Sequence, residues 1–188
     1  MTKYNSDIIS LLTHGGVGVV PTDTVYGVVT TVANRDAVAR LYRLKNRDKK
    51  PGTIIASSTQ QLIDLGVNEK YIEIVKHLWP NPISIVLPVG DDLEYLDQGV
   101  GSLAFRVVAD RELVKLLEVT GPLLTSSAND PGKPVANTID EAKIYFGDKV
   151  DFYVDGGDLS DRLSSTILKL SDGKIELLRQ GAAVFKLD

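Results

Sequence analysis

Along this chain, short apolar runs alternate with amphipathic stretches, and that alternation predicts strands and helices built around one sheet. The segments Val17–Val20, Val25–Val32, Thr53–Ala56, Ile83–Leu87, Ser102–Val107, Leu123–Ser126, Asp151–Val154, Thr166–Leu170 and Lys174–Leu178 read as strands. Helices are expected at Ser6–Thr13, with Ile8, Ile9, Leu11 and Leu12 on one face and Gly15-Gly16 after it. A second follows Asn34, with Ala37, Val38, Leu41 and Leu44 as its apolar face. A short one starts at Ser58 or Thr59; others span Glu69–Trp79 and Asp110–Glu118. Thr138 and Glu141 form a capping box for a helix that runs to Phe146. Pro80-Asn81-Pro82 forces an extended turn, and Ser171-Asp172-Gly173 reads as a hairpin turn. Late in the chain, strands outnumber helices and hairpins mix with crossovers. The 188 residues suit one domain. The expected fold is α/β (α+β): a single domain, residues 1–188, with a large twisted mixed β-sheet flanked by helices.

Several function classes are disfavoured. There is no cysteine, hence no disulfide framework and no thiolate metal site. No apolar run approaches the ~18 residues of a membrane helix, and the segment from Met1 to Asn5 lacks the apolar core of a signal peptide. A cytoplasmic location and no membrane partner are expected. No phosphate loop of the Gly-Lys-Ser/Thr type, no Gly-x-Gly-x-x-Gly and no Gly-x-Ser-x-Gly occurs. The two histidines, His14 and His77, fall within expected helices with no partner at metal-ligand spacing, so they read as structural or surface residues. No metal ligands are assigned.

The net charge is −4, but the segment Arg40–Lys50 holds Arg40, Arg43, Lys45, Arg47, Lys49 and Lys50 against one acid, Asp48. A basic patch on an acidic protein suits a local anion site; a solvated helix face followed by a lysine-rich loop gives the same pattern. Polar residues also gather at strand ends: Thr22 and Thr24, Ser102 and Arg106, Ser126, Ser127 and Asn129, Ser164, Ser165 and Thr166, and Arg179. Open α/β sheets bind ligands at such places. Each group alone has an ordinary reading as a turn residue or a surface ion pair. Together, cations, hydroxyls and an amide without an acid/base dyad suit phosphates and carboxylates. Such a site would act by holding reactants close and stabilising developing charge.

The segments Pro21-Thr22-Asp23-Thr24-Val25-Tyr26-Gly27, Lys45-x-Arg47, Ser127-x-Asn129, Ser165-Thr166-Ile167 and Arg179-x-Gly181 resemble, in order and spacing, the motifs of the YrdC/Sua5 family. Pro80–Leu87 is similar to that family's Pro-Gly-Pro-hydrophobic-Thr segment, and Leu103–Val107 to its arginine strand. The resemblance runs from about Val17 to Gly181. It implies a twisted open sheet around a deep, positively charged cavity. It also implies a threonylcarbamoyl-AMP synthase that condenses L-threonine, bicarbonate (or CO2) and ATP and releases pyrophosphate. A separate transferase complex would then pass the threonylcarbamoyl group to adenosine 37 of tRNA. By position, Thr24, Arg106, Ser127 and Ser165 are implied to contact threonine, and Arg47, Ser102, Asn129, Asn137 and Arg179 the nucleotide. Lys45, with Arg47, would supply catalytic positive charge near the phosphates; ATP is a substrate and Mg2+ is expected to assist.

The chain departs from the family pattern at Asp48, at Pro51 with Lys50 before it, at Ala56 in place of a histidine, at Asn137, and at Gln180. It stops soon after Arg179 and so resembles the short, single-domain form. Two other readings stay open. One is a double-stranded RNA or tRNA-binding module of the same fold, supported by the basic run but opposed by the net charge, so that direct RNA binding is expected to be weak or absent. The other is a carbamoyl-transfer domain, which usually sits in a larger chain with acylphosphatase and zinc-finger parts.

Overall fold

The helices begin where short polar side chains can take up orphan N–H groups. In a computed structural model that describes residues 3–186, Asn5 caps α1 (Ser6–Thr13) through the Ile8 N–H at 3.0 Å. After the paired strands β1 (Gly18–Pro21) and β2 (Tyr26–Thr31), Asn34 caps α2 (Arg35–Leu44) in the same way. Ser58 caps α3 (Thr59–Asp64), which follows β3 (Thr53–Ala56), and Asn68 caps α4 (Glu69–Val75). Each such cap contributes about 1 kcal/mol.

The helix expected to reach Trp79 is α-helical only to Val75 and tightens into a 3-10 turn, Lys76–Leu78. Trp79 is extended, as a residue before proline must be, and its indole N–H donates to the Ile83 carbonyl at 2.8 Å. β4 (Ile83–Pro88) leads through a 3-10 turn, Asp91–Leu93, into a four-residue helix, α5 (Glu94–Asp97), which the sequence did not announce. β5 (Ser102–Val107) precedes α6 (Arg111–Thr120), capped by Asp110. β6 (Leu123–Ser127) precedes α7 (Ile139–Phe146), capped by Thr138. The segment expected as a strand from Asp151 to Val154 pairs only over β7 (Phe152–Tyr153). β8 (Thr166–Ser171) and β9 (Lys174–Arg179) close a hairpin at Asp172 and Gly173, both at positive φ.

The nine strands form one mixed sheet in the order β7-β1-β2-β6-β3-β5-β4-β8-β9. Three pairs (β7/β1, β3/β5 and β4/β8) are parallel and the other five antiparallel. Strand side chains point alternately to the two faces. One face carries Val19, Val28, Ile54, Ile85, Phe105 and Leu168, and α2, α3, α4, α5 and α7 cover it. The other carries Val20, Val29, Ile55 and Leu123, and is covered by α1 and α6 through Leu12, Leu113, Leu116 and Leu117. These two helices cover only part of that face. Where they stop, the strands present Gly27, Thr53, Ala104, Arg106 and Thr125, and a hollow opens.

Candidate active site

The hollow has a volume of about 440 Å3, within the roughly 300–1,000 Å3 of small-molecule pockets. Its floor is low because the residues are small. A Cβ on Gly27 would stand 2.5 Å from the Thr125 Oγ1, so glycine at this position leaves the space above β2 and β6 open. The first wall is the loop after β1. The Thr22 Oγ1 donates to the Val25 carbonyl at 2.7 Å, accepts from the Thr24 N–H and lies 3.0 Å from the Thr24 Oγ1, which fixes both hydroxyls at the cavity.

Of the cations that line the hollow, Arg106 is the deeply buried one, 4% exposed. Alternation along β5 sends Leu103, Phe105 and Val107 into the covered face and Arg106 into the hollow. Its Nη2 donates to the Asp23 Oδ1 at 2.9 Å, and its Nη1 to the Ser84 Oγ at 3.2 Å. The Asp23 side chain is 7% exposed. The pairing is under-used: the Asp23 Oδ2 and Arg106 Nε are buried without partners, as is the Ser126 Oγ. Five guanidinium N–H groups serve two bonds here, so Arg106 keeps donors for an incoming carboxylate or phosphate.

α2 ends in a way that explains the spacing of Lys45 and Arg47. Asn46 takes a left-handed conformation (φ 45°), the Asn46 N–H donates to the Arg43 carbonyl, and the Arg47 N–H donates to that of Tyr42. The chain reverses, placing Arg47 on the cavity wall and turning Lys45 beneath it. Lys45 is 3% exposed. Its Nζ donates to the backbone carbonyls of Ser127 and Asn129 and, at 3.0 Å, to the Asn129 Oδ1. That Oδ1 also accepts from the Ser127 hydroxyl, and the Asn129 Nδ2 donates to the Lys133 carbonyl. Burial lowers the Lys45 pKa to about 8; Arg47 lowers it further and Asp130 opposes the shift. At neutral pH it is still an ammonium, which suits three oxygen acceptors. Burial also lowers Arg47, whose Nη1 makes two long 3.3 Å bonds to the carbonyls of Lys50 and Pro51.

Arg179 reaches the cavity because of a β-bulge. Leu168 pairs with Leu177 but Ile167 pairs with Arg179, so Leu178 is the extra residue. The bulge puts Arg179 on the same face as Ile167, and its Nη2 donates to the Ser165 carbonyl at 2.8 Å. Its pKa is lowered by burial and by the nearby Arg106.

The structure thus brings Thr24, Arg47, Arg106, Ser127, Asn129, Ser165 and Arg179 to one cavity. Three expected site residues stand apart. Lys45 lies beneath the Ser127–Asn129 turn. Ser102 lies one step along β5 in a neighbouring hollow of about 430 Å3, which shares Val86 with the first. Asn137 is exposed; its N–H donates to Glu141 and its carbonyl accepts from Leu159. A third hollow, about 520 Å3 beside Trp79, has Lys76 as its one cation and lacks buried charge. Asp23 and Ser84 are functional candidates that residue-type reasoning passed over; the carboxylate lodged between Thr22 and Thr24 was the available signal. Both histidines are exposed, His14 at the C-cap of α1 and His77 in the 3-10 turn. The basic run is dispersed: Arg40 is bound by Asp151, Lys45 is buried and Arg47 faces the cavity, which leaves Arg43, Lys49 and Lys50 on the surface. Among the described residues, no cluster of three or more His, Cys, Asp or Glu that could hold a metal ion occurs, and no helix is long and apolar enough to cross a membrane.

Comparison with known proteins shows what this chain is similar to. A family model for Sua5/YciO/YrdC proteins, described as "Telomere recombination", matches residues 10–181. A threonylcarbamoyl-AMP synthase of Coxiella burnetii is 35% identical over 161 residues, covering 82% of this chain and 86% of that protein. The structure of P. abyssi Sua5 complexed with L-threonine matches with a TM-score of 0.81 at 29% identity, covering 92% of this chain and 52% of that one. This chain therefore spans about half the length of that Sua5 chain. E. coli YciO matches in fold with a TM-score of 0.81 at 23% identity, covering 95% of this chain and 89% of its own.

Proposed function

We propose, starting from the fact that this chain belongs to the Sua5/YciO/YrdC family, that it is a threonylcarbamoyl-AMP synthase. The observation that carries this reading is the convergence of three arginines with hydroxyls and an amide on one cavity, in a family where P. abyssi Sua5 is complexed with L-threonine. Threonine's amine, once neutral, adds to CO2 and loses a proton to give a carbamate; starting from bicarbonate, water is also released. A carbamate oxygen then attacks the α-phosphorus of ATP. The bond from that phosphorus to the bridging oxygen breaks, and pyrophosphate leaves with the electron pair. The nucleophile comes from the substrate, so a site without a side-chain nucleophile or a histidine base suffices.

The residues take complementary parts. Arg106, with Thr24, Ser127 and Ser165, holds threonine, the guanidinium fork taking its carboxylate. Arg47, Asn129 and Arg179 hold the nucleotide and offset the charge that develops as pyrophosphate departs. Ser102 contacts the part of the nucleotide that extends toward the neighbouring hollow, whose wall it lines; Asn137, exposed on the loop after β6 and outside the lining of both hollows, contacts the nucleotide where it extends over that loop. Lys45 acts by holding the Ser127–Asn129 turn and by adding charge beneath the phosphates. The described residues offer no carboxylate cluster for Mg2+; bound together with ATP, it would offset phosphate charge. The product is a reactive mixed anhydride, so a transferase complex must take the group on to tRNA. The few surface cations left in the basic run suit weak direct RNA contact at most, and the substrates suit a cytoplasmic location.

The test is to incubate purified protein with ATP, L-threonine and bicarbonate, omit each in turn, and assay pyrophosphate. Release that needs all three supports the reading. Release independent of threonine would overturn it.

A further inference from the structure

Ser84 is fully buried, on the strand that runs beside β5, and does not line the cavity. Its hydroxyl nevertheless touches two residues that do. The Arg106 Nη1 donates to the Ser84 Oγ at 3.2 Å, and the Ser84 hydroxyl lies 2.9 Å from the Ser165 Oγ. The Ser84 Oγ accepts one of these bonds and donates the other. A guanidinium cannot accept, so Ser84 accepts from Arg106. A hydroxyl has one hydrogen, and that of Ser84 goes to the Ser165 Oγ. The Ser165 hydroxyl, already accepting, has its own hydrogen left for the cavity. Its backbone carbonyl is held in turn by the Arg179 Nη2 at 2.8 Å.

We propose that Ser84 is a positioning residue for amino-acid binding: it holds the Arg106 fork in place and sets Ser165 as a hydrogen-bond donor to the ligand. The inference rests on the synthase reading. Asp23 grips Nη2 of the same guanidinium, so the fork is held at two points, from the loop after β1 and from β4. The chain Arg106–Ser84–Ser165 therefore turns N–H and O–H donors toward the ligand, as an oxygen-rich anion such as a carboxylate requires. Every member is buried, so the bonds act with little screening by water.

The experiment measures threonine binding by calorimetry, KM for threonine and for ATP, and Tm, for Ser84→Ala, Ser84→Thr and Ser165→Ala, and for the Ser84→Ala/Ser165→Ala double variant. Ser84→Ala is expected to weaken threonine about tenfold in Kd and KM, the size of one hydrogen bond to a charged group, and to leave the KM for ATP unchanged. Ser84→Thr, which keeps the hydroxyl, should restore threonine binding. In the double variant the two losses should be far from additive. Unchanged threonine affinity in folded Ser84→Ala overturns the inference. So does a parallel rise in both KM values with a lowered Tm and no rescue in Ser84→Thr, which is the behaviour of a packing residue. Should Ser84→Ala not fold, Ser84→Cys, a weak donor of similar size, gives the same readout. A parent protein that does not bind threonine at all overturns the synthase reading itself, a result distinct from these.

Discussion

Replacing Arg47 by alanine separates the fold from the ligand. In the structure this guanidinium spends one nitrogen on two carbonyls, both at 3.3 Å, the long end of useful hydrogen bonds. Losing them should cost the fold about 1 kcal/mol or less, because bonds of average geometry contribute only ~0.5–1.5 kcal/mol each. For a chain of this size that is a fall in Tm of about 2–4 °C. The Arg47 backbone carbonyl is held independently by the Gln98 amide at 3.0 Å, so the turn after α2 survives the truncation. The ligand suffers more. One charge-assisted bond to a phosphate is worth ~1.5–3 kcal/mol, which is about 10- to 150-fold in Kd. Titration calorimetry with a non-hydrolysable ATP analogue reads the affinity, and a melt of the same sample reads the fold. A variant that melts near the parent and binds the analogue equally well would show that Arg47 does not touch the nucleotide.

Arg106→Ala should raise the threonine KM about tenfold or more while the KM for ATP changes little, because it removes the deepest partner for a carboxylate; equal threonine affinity in variant and parent would refute that role. Lys45 carries a pH signature: its pKa of about 8 lies below the 10.5 of an unperturbed lysine. The unfolded chain therefore binds that proton more tightly, and this residue's contribution to stability rises as pH increases from about 8 to 10.5. Urea unfolding of the parent should show that increment relative to Lys45→Met, and parallel stability curves for the two across this window would refute it. Gly27→Ala places a Cβ 2.5 Å from the Thr125 Oγ1, so a destabilisation of about 1–3 kcal/mol is expected in denaturant titrations, with poorer binding of both substrates. Full stability and activity in that variant would mean that the floor yields easily.

Most strands and helix starts were legible because each rests on local chemistry. Asn34, Ser58, Asp110 and Thr138 cap the helices that their side chains suggest, and the alternation in Ser102–Val107 separates Arg106 from Leu103, Phe105 and Val107. What was not legible depends on residues far apart in sequence. α5 has four residues, too few for a periodic signal. The bulge at Leu178 leaves no mark in Leu177-Leu178-Arg179, yet it decides which way Arg179 points. The resemblance implies a charge from Lys45 near the phosphates, but that its ammonium is held by carbonyls 82 and 84 residues away shows only in the fold. Asp23 and Arg106 meet across 83 residues, and only the folded sheet reveals that the carboxylate between Thr22 and Thr24 is the arginine's counter-ion.

If one hollow grips the amino acid and the nucleotide side by side, the label of 13C-bicarbonate should appear in a molecule that contains both threonine and AMP. Mass spectrometry of the purified protein's reaction with ATP and L-threonine should therefore find threonylcarbamoyl-AMP heavier by one unit when the bicarbonate is labelled. AMP and pyrophosphate formed without any threonine-linked, labelled adenylate would contradict the shared cavity as the seat of this chemistry.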